Sequence, residues 1–238
     1  VRALPFLLCA VVLTATAADR IGGSVGVTSD YRLQGLSLSA GSAAAQAELH
    51  FQQPTDDRGA WYAGLWASTV RLANQSSSSG QIGAFIGRQF AMGPDWSGSV
   101  TLSHYAHPWN ALLKQYDYDE LTVGASYRDR LKFTAAYSPD TDLYSYYGFI
   151  KNRRSLAYEL AGTLPVRGSF AASAGLGFRD VSSFFDTSGY WYGSAGLSYD
   201  QGRLHASVLR IQTDRTARGL FYRDIVDPAW VGTLLWTF

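Results

Sequence analysis

The feature that most constrains this chain is a period-two alternation that recurs in segments of about ten residues along its length. The clearest case is Phe170-Ala172-Ala174-Leu176-Phe178, with Ser169, Ala171, Ser173, Gly175 and Gly177 between them. Leu121-Val123-Ala125-Tyr127 alternates against Glu120, Thr122, Gly124, Ser126 and Arg128. Leu131-Phe133-Ala135-Tyr137 does so against Lys132, Thr134, Ala136 and Ser138, and Trp191-Gly193-Ala195-Leu197-Tyr199 repeats the theme. Successive strand side chains point to opposite faces, so each segment reads as a strand with one greasy and one small or polar face. Aromatic residues at both ends of the greasy face, with small residues between, are the pattern of two membrane girdles. Less regular strands fall near 22–33, 43–52, 60–70, 80–90, 96–105, 155–164 and 203–213, and 230–238 ends the series, for about twelve in all.

The connections alternate in length. Short links at Gln53–Gly59, Ala91–Asp95, Asp129 with Arg130, Pro165–Gly168 and Asp200–Gly202 carry Pro, Gly and Asp, the usual turn formers. Longer ones fall at Gln34–Ser42, Arg71–Ser79, Ala106–Tyr116, Pro139–Arg154, Asp180–Gly189 and Asp214–Ala229. A soluble sandwich has no reason to alternate so strictly. The expected fold is all-β, a single antiparallel transmembrane β-barrel of about twelve strands with short periplasmic turns and longer extracellular loops.

Both ends of the chain agree with an envelope barrel. Trp230, Leu234, Trp236 and Phe238 share one face of the last segment and resemble the C-terminal signal by which outer-membrane barrels are recognised for assembly. At the other end Arg2 precedes an apolar run, Leu4 to Leu13, and the small residues Ala15-Thr16-Ala17. That run is too short to cross a bilayer as a helix, and residues 1–18 read as a cleaved signal peptide before a barrel at 19–238. The single cysteine, Cys9, falls in this leader, which leaves no thiol or disulfide chemistry for the mature chain. Charged residues are only 16% of the chain and aromatics 14%, while mean hydropathy is −0.07. Alternation hides hydrophobicity in such an average, and no later stretch is long and apolar enough for a transmembrane helix. A net charge of +1 supplies no basic field for nucleic acid.

With the aromatics assigned to lipid, the inward set is Gly, Ser, Thr and Ala plus a few charges. Candidate lumen or constriction residues are Asp30, Arg32, Glu48, His50, Glu120, Lys132, Glu159 and Arg179, because burying them in lipid would be expensive. They either line a wet channel or pair with one another and plug a narrow one. Lys114, Lys151, Arg153, Arg154, Arg215, Arg218 and Arg223 gather in the long loops, where they either meet anionic groups at the outer surface or are balanced by neighbouring Asp residues. For catalysis the chain offers little. His50, His104, His107 and His205 stand in no recognisable motif, and Ser103 and His104 are adjacent and therefore on opposite faces of a strand. Asp140 and Asp142 beside Pro139 read as turn chemistry. No cofactor, metal or nucleic acid is implied.

Two segments carry a family likeness. Val27-Thr28-Ser29-Asp30-Tyr31-Arg32-Leu33-Gln34-Gly35-Leu36-Ser37 and Ala60-Trp61-Tyr62-Ala63-Gly64-Leu65-Trp66-Ala67-Ser68 resemble motifs of the TorF family, porin-like outer-membrane proteins of proteobacteria. The resemblance implies a barrel of about this size in the outer membrane. It is carried by Thr28, Ser29, Asp30, Tyr31, Arg32, Gly35, Ser37, Tyr62, Ala63, Gly64, Trp66 and Ser68. Leu33-Gln34 stands where the family has an aromatic residue and an Arg, and Ala67 where it has Gly, so any anion preference near the first loop does not carry over. Asp30 and Arg32 read either as part of a rim network limiting the pore or as a device fixing the register of the first strand. The expected function is a non-enzymatic, porin-like channel for passive diffusion of small hydrophilic solutes. The expected partners are outer-membrane lipid, lipopolysaccharide and the barrel assembly machinery. The alternative is a closed barrel with a structural or surface-binding role through its outer loops.

Overall fold

The computed structural model describes residues 21–55, 58–71, 77–110 and 113–238. The leader expected at 1–18, with Cys9, and the centre of the expected 71–79 loop lie outside the described residues. In chain order the strands are β1 (Ile21–Thr28), β2 (Arg32–Leu33), β3 (Leu36–Ser37), β4 (Ala44–Pro54), β5 (Ala60–Val70), β6 (Ser79–Ala91) and β7 (Trp96–Ala106). They continue with β8 (Tyr118–Tyr127), β9 (Leu131–Ser145), β10 (Gly148–Arg167), β11 (Phe170–Asp180), β12 (Gly189–Gln201), β13 (Leu204–Thr213) and β14 (Ala229–Thr237). Two short helices, α1 (Arg215–Leu220) and α2 (Arg223–Val226), sit between β13 and β14.

Twelve of these strands form a closed antiparallel barrel, and β2 and β3 form a separate small hairpin. Each wall strand pairs with its neighbour along the chain, with β4 following β1 in the wall. The sheet closes where β1 meets β14, from Ser24 opposite Thr237 to Thr28 opposite Thr233. Closure gives every strand two partners, which removes the unpaired edges that an open sheet would present. At the short-turn end Gly168 (φ +57°) and Gly202 (φ +59°) supply left-handed turn positions, as do Arg128 and Asp129. The Arg128 guanidinium donates to both oxygens of Asp95, joining two adjacent turns.

The alternation sorts side chains as the pattern requires. Phe170, Leu176, Leu197, Leu121, Val123, Phe133, Leu234, Trp236 and Phe238 stand on the outside and are exposed. Phe170 packs on Tyr199 at one level and Phe178 on Trp191 at another, with ring centroids 4.9 and 5.1 Å apart. The interval matches the nine to eleven or so residues a tilted strand needs to cross hydrocarbon. At the ends of the outer face Arg88 lies over the Trp61 ring and Arg210 over the Trp230 ring, so these cations stack on aromatics.

Four sequence expectations change. The first strand ends at Thr28 and not near 33, so Asp30 and Arg32 belong to the loop that follows it. The Pro139–Arg154 connection is largely strand: β9 and β10 continue as a projecting hairpin with bulges around Arg153. The 214–229 connection carries the two helices, α1 being capped by the Asp214 side chain, which accepts from Ala217 N. Finally, aromatics are not confined to the outside. Tyr62, Trp66, Tyr105, Tyr190 and Tyr192 are buried within the barrel.

Ala174 lies midway between the two rings of outward aromatics. Ala174→Arg is expected to destabilise the lipid-refolded barrel by about 2–4 kcal/mol, the cost of a cation at the bilayer midplane. Denaturant titration in bilayers checks this, and a change below about 1 kcal/mol would contradict a lipid-facing assignment for this surface.

Candidate functional site

The interior is built from the first long loop, residues 29–43, which folds back into the barrel. Its organising group is the Asp30 carboxylate. One oxygen accepts from Arg32 Nε at 2.6 Å, and the other accepts from the Ser37 and Ser39 hydroxyls, the latter at 3.0 Å. Asp30 and Arg32 are both almost wholly buried. A buried ion pair persists only when further hydrogen bonds satisfy its remaining donors and lone pairs. Here the two serines do so on the acid, and Arg32 Nη1 reaches the Gly35 carbonyl. Arg71, at the start of the next long loop, donates to the Ala40 carbonyl and the Ser42 hydroxyl and clamps the loop at its base.

The tip of this loop rests on β12 and the end of β13. Tyr190 Oη donates to the Gln34 carbonyl at 3.2 Å. Gly35 has φ +83°, and a Cβ there would lie 2.6 Å from Tyr192 Cβ and 2.9 Å from Thr213 Cγ2. Only glycine fits both the conformation and the gap. Leu36 then joins a buried cluster with Val181, Tyr190, Phe221, Ile225 and Val226, so α1 and α2 are pinned to the loop over the mouth. A second cluster joins the loop to the wall through Tyr31, Trp66, Val70, Tyr105 and Leu113. Tyr31 and Trp66, one from each of the two motif segments singled out in the sequence, lie with ring centroids 5.7 Å apart.

Below the loop the wall carries the charged residues. Glu159 accepts from Tyr192 Oη at 3.1 Å, and Lys132 is near enough to act on Glu159 electrostatically. Arg179 donates through Nε to the Ser155 hydroxyl, and Glu120 accepts from Thr122 and feels the Arg179 charge. Gly177 gives the Tyr192 ring its seat, since a Cβ there would lie 2.1 Å from the ring. Glu48 and His50 form a separate pair at 2.8 Å. The candidate residues thus fall into three groups: a knot in the first loop (Asp30, Arg32), a mid-barrel set (Glu120, Lys132, Glu159, Arg179), and a Glu48–His50 pair nearer the short-turn end. Sequence reasoning missed Gln34, Ser155 and Tyr192. The signal for Tyr192 was parity, because it neighbours the outward Trp191.

Two cavities follow the inner wall. The larger, about 130 Å³, lies at the long-loop mouth between the first loop, the wall and the 221–225 segment. The smaller, about 20 Å³, lies against Glu120, Thr134, Glu159 and Tyr192. Gln34, Glu120 and Ala136 border both. Toward the short-turn end hydroxyls bond across the interior, Tyr62 to Thr101 and Thr163 to Ser173.

Each histidine contacts a carboxylate. His104 and Asp119 pair on the outer face, away from the buried Ser103. His205 pairs with Asp200 near the short turns. His107 lies in the third long loop, where Asp117 Oδ1 accepts from both its backbone N–H and its Nδ1. Burial holds the His107 imidazole below its ordinary range, while Asp117 pulls it partly back. Among the described residues no group of three or more His, Cys, Asp or Glu side chains could hold a metal ion.

Residues 13–238 match the sequence profile of a bacterial protein family of unknown function, Gcw_chp. The chain belongs to the Gcw_chp family. No curated protein matches it in sequence. Among solved structures the Gcw_chp barrel is similar to an outer membrane channel from Pseudomonas putida F1. That match has a TM-score of 0.60 at 11% identity and covers 91% of this chain and 93% of the other. It is also similar to a chain from work on the in-meso crystallization of membrane proteins, with a TM-score of 0.56 at 9% identity, covering 91% of this chain and 83% of that one. At these identities the likeness is one of fold alone.

Asp30→Asn leaves Arg32 buried without its counter-charge, a loss on the order of 3–5 kcal/mol for such pairs. The wall ladder does not pass through Asp30. The expected result is therefore protease cleavage within residues 29–43 while heat-modifiable migration of the barrel persists. For His107, a folded value below the unfolded one means no penalty above about pH 6.5 and destabilisation as pH falls through that value. NMR titration of the ring should give a midpoint below 6.5, and Asp117→Asn should lower it further.

Proposed function

We propose that this Gcw_chp protein is a non-enzymatic, porin-like channel of the outer membrane that passes small hydrophilic solutes passively. The observation that carries the reading is the pair of cavities bordered in common by Gln34, Glu120 and Ala136, which traces a path from the mouth to mid-barrel. Its narrow level is set between the tip of the first loop and the Glu120–Arg179 side of the wall. Opposed charges there sort solutes by sign as well as by width. The likeness in fold to an outer membrane channel and the resemblance to TorF porin-like proteins support the same reading. The outward apolar band, ringed by aromatics, suits outer-membrane lipid. Lipopolysaccharide would meet the long-loop end, and the barrel assembly machinery would insert the chain.

A second reading is favoured by one observation, the Asp30 knot and the loop clusters that fill the mouth. A closed barrel would use these as a permanent plug and act through its loop surface.

Planar-bilayer recording of the refolded protein across a salt gradient separates the two. Steady ohmic steps are expected. Glu120→Gln should move the reversal potential toward anion preference and Arg179→Gln toward cation preference. A folded, heat-modifiable barrel that stays silent would overturn the channel and leave the plug.

A further inference from the structure

One cation of the wall faces the membrane with no opposite charge to meet. Leu209 and Ile211 on β13 are buried inside the barrel and Val208 is exposed, so Arg210 points outward with Val208. Across the wall it is level with Ala195 on β12 and Trp230 on β14, and its guanidinium carbon stands 5.8 Å from the centroid of the Trp230 ring. Among the described residues the Arg210 side chain makes no hydrogen bond and no ion pair. A stacked tryptophan eases the desolvation of a guanidinium but supplies no counter-ion. A cation on the lipid face of a barrel is costly, less so near the headgroups than at the midplane, and it calls for a partner.

The protein itself does not provide that partner. In the connection that follows β13, Arg215, Arg218 and Arg223 stand against Asp214, Asp224 and Asp227, so the signs there cancel. Asp214, the acid next along β13, is already committed, its oxygens accepting from Trp191 N and Ala217 N. Depth indicates where the counter-ion comes from. Trp230 is the second residue of β14, directly after the long connection, so Arg210 lies toward the long-loop end of the lipid face, against the outer leaflet. Beside it the surface dips. Gly232, one outward step along β14 from Trp230, leaves open space where a Cβ would stand, with the exposed side chains of Val208 opposite and Leu234 beyond. We propose that Arg210 and Trp230 bind a phosphate of lipid A, the phosphorylated glycolipid that anchors lipopolysaccharide in the outer leaflet. The guanidinium offers two parallel N–H donors to the phosphate oxygens. Trp230 holds it at the boundary, and an acyl chain lies in the dip at Gly232. The site rests on the outer-membrane placement proposed above and is independent of conduction.

The test is native mass spectrometry of the refolded full barrel in a neutral detergent, titrated with lipid A and with the same lipid after its phosphates have been removed. The wild-type barrel should prefer the phosphorylated form at least tenfold. Arg210→Gln should reduce that preference to within about twofold, and Arg210→Lys should keep most of it. Heat-modifiable migration should persist in both variants, because the side chain lies outside the wall ladder. Equal binding of the two lipids by the wild type would overturn the site. An undiminished preference in Arg210→Gln would overturn it too, by assigning the phosphate to loop cations such as Arg154 or Arg215. Release of lipid A by millimolar inorganic phosphate would overturn the lipid as ligand and leave a free-anion site. Fractionation of cells expressing the chain keeps the underlying placement separate. Recovery outside the lipopolysaccharide-bearing membrane would overturn that placement and lipid A with it, whereas a missing phosphate preference in a barrel that fractionates with lipopolysaccharide overturns the site alone.

Discussion

Closing a sheet of twelve strands fixes a bore, and that bore is the constraint on which the rest of the molecule depends. An eight-stranded barrel is just wide enough for wall side chains to fill, and a sixteen-stranded one leaves a broad channel. Twelve strands enclose too much space for alternating Ser, Thr, Ala and Gly to occupy. The chain meets this in two ways. Large aromatics from the wall, Trp66, Tyr105, Tyr190 and Tyr192, enter the long-loop half. The first loop then folds in to meet them, with Gly35 set against Tyr192 and Thr213. Because loop backbone is polar, it can lie inside only if its own groups are satisfied, and the Asp30 knot with its serines and Arg32 does that locally.

The two halves of the interior therefore differ in kind. The long-loop half is packed like the core of a soluble domain, with two apolar clusters and a bounded cavity. The short-turn half carries hydroxyls along the wall together with Tyr62, Gln52 and the Glu48–His50 pair, and no buried apolar cluster like those at the mouth is found there among the described residues. The charged residues stand where the two regimes meet. Glu159 accepts from Tyr192 and Arg179 donates to Ser155, so each is held by a neutral partner.

The wall was legible in the sequence because it rests on two local signals, alternation and turn chemistry. Phe170 to Phe178 reads as a strand without knowledge of any neighbour. The inside was legible only in part. On β5 both faces carry aromatics, Trp61 outward against Tyr62 and Trp66 inward, so a rule sending aromatics to lipid misplaces two of the three. Asp30 and Arg32 were recognisable as an opposed pair, but as part of a strand. Their true setting depends on Ser37, Ser39 and Arg71, and nothing in strand periodicity reports a chain reversal at Ser29. Helices α1 and α2 are too short to show helical periodicity and owe their form to the Asp214 cap and the packing of Phe221, Ile225 and Val226.

The seam where β1 meets β14 has a consequence for how the molecule comes together. It aligns Ser24–Thr28 with Thr233–Thr237, whereas β1 holds β4 along its whole length, from Ile21 to Thr28. The short ladder is extended at both ends by other means. Gly23 and Phe238 exchange backbone hydrogen bonds, and Ser29 and Gly232 bond to each other across 203 residues of chain. Every other ladder in the wall joins neighbours along the chain and can zip as a hairpin. This one joins the first and last strands of the wall, so closure rests on a contact between the two ends of the barrel and not on any hairpin.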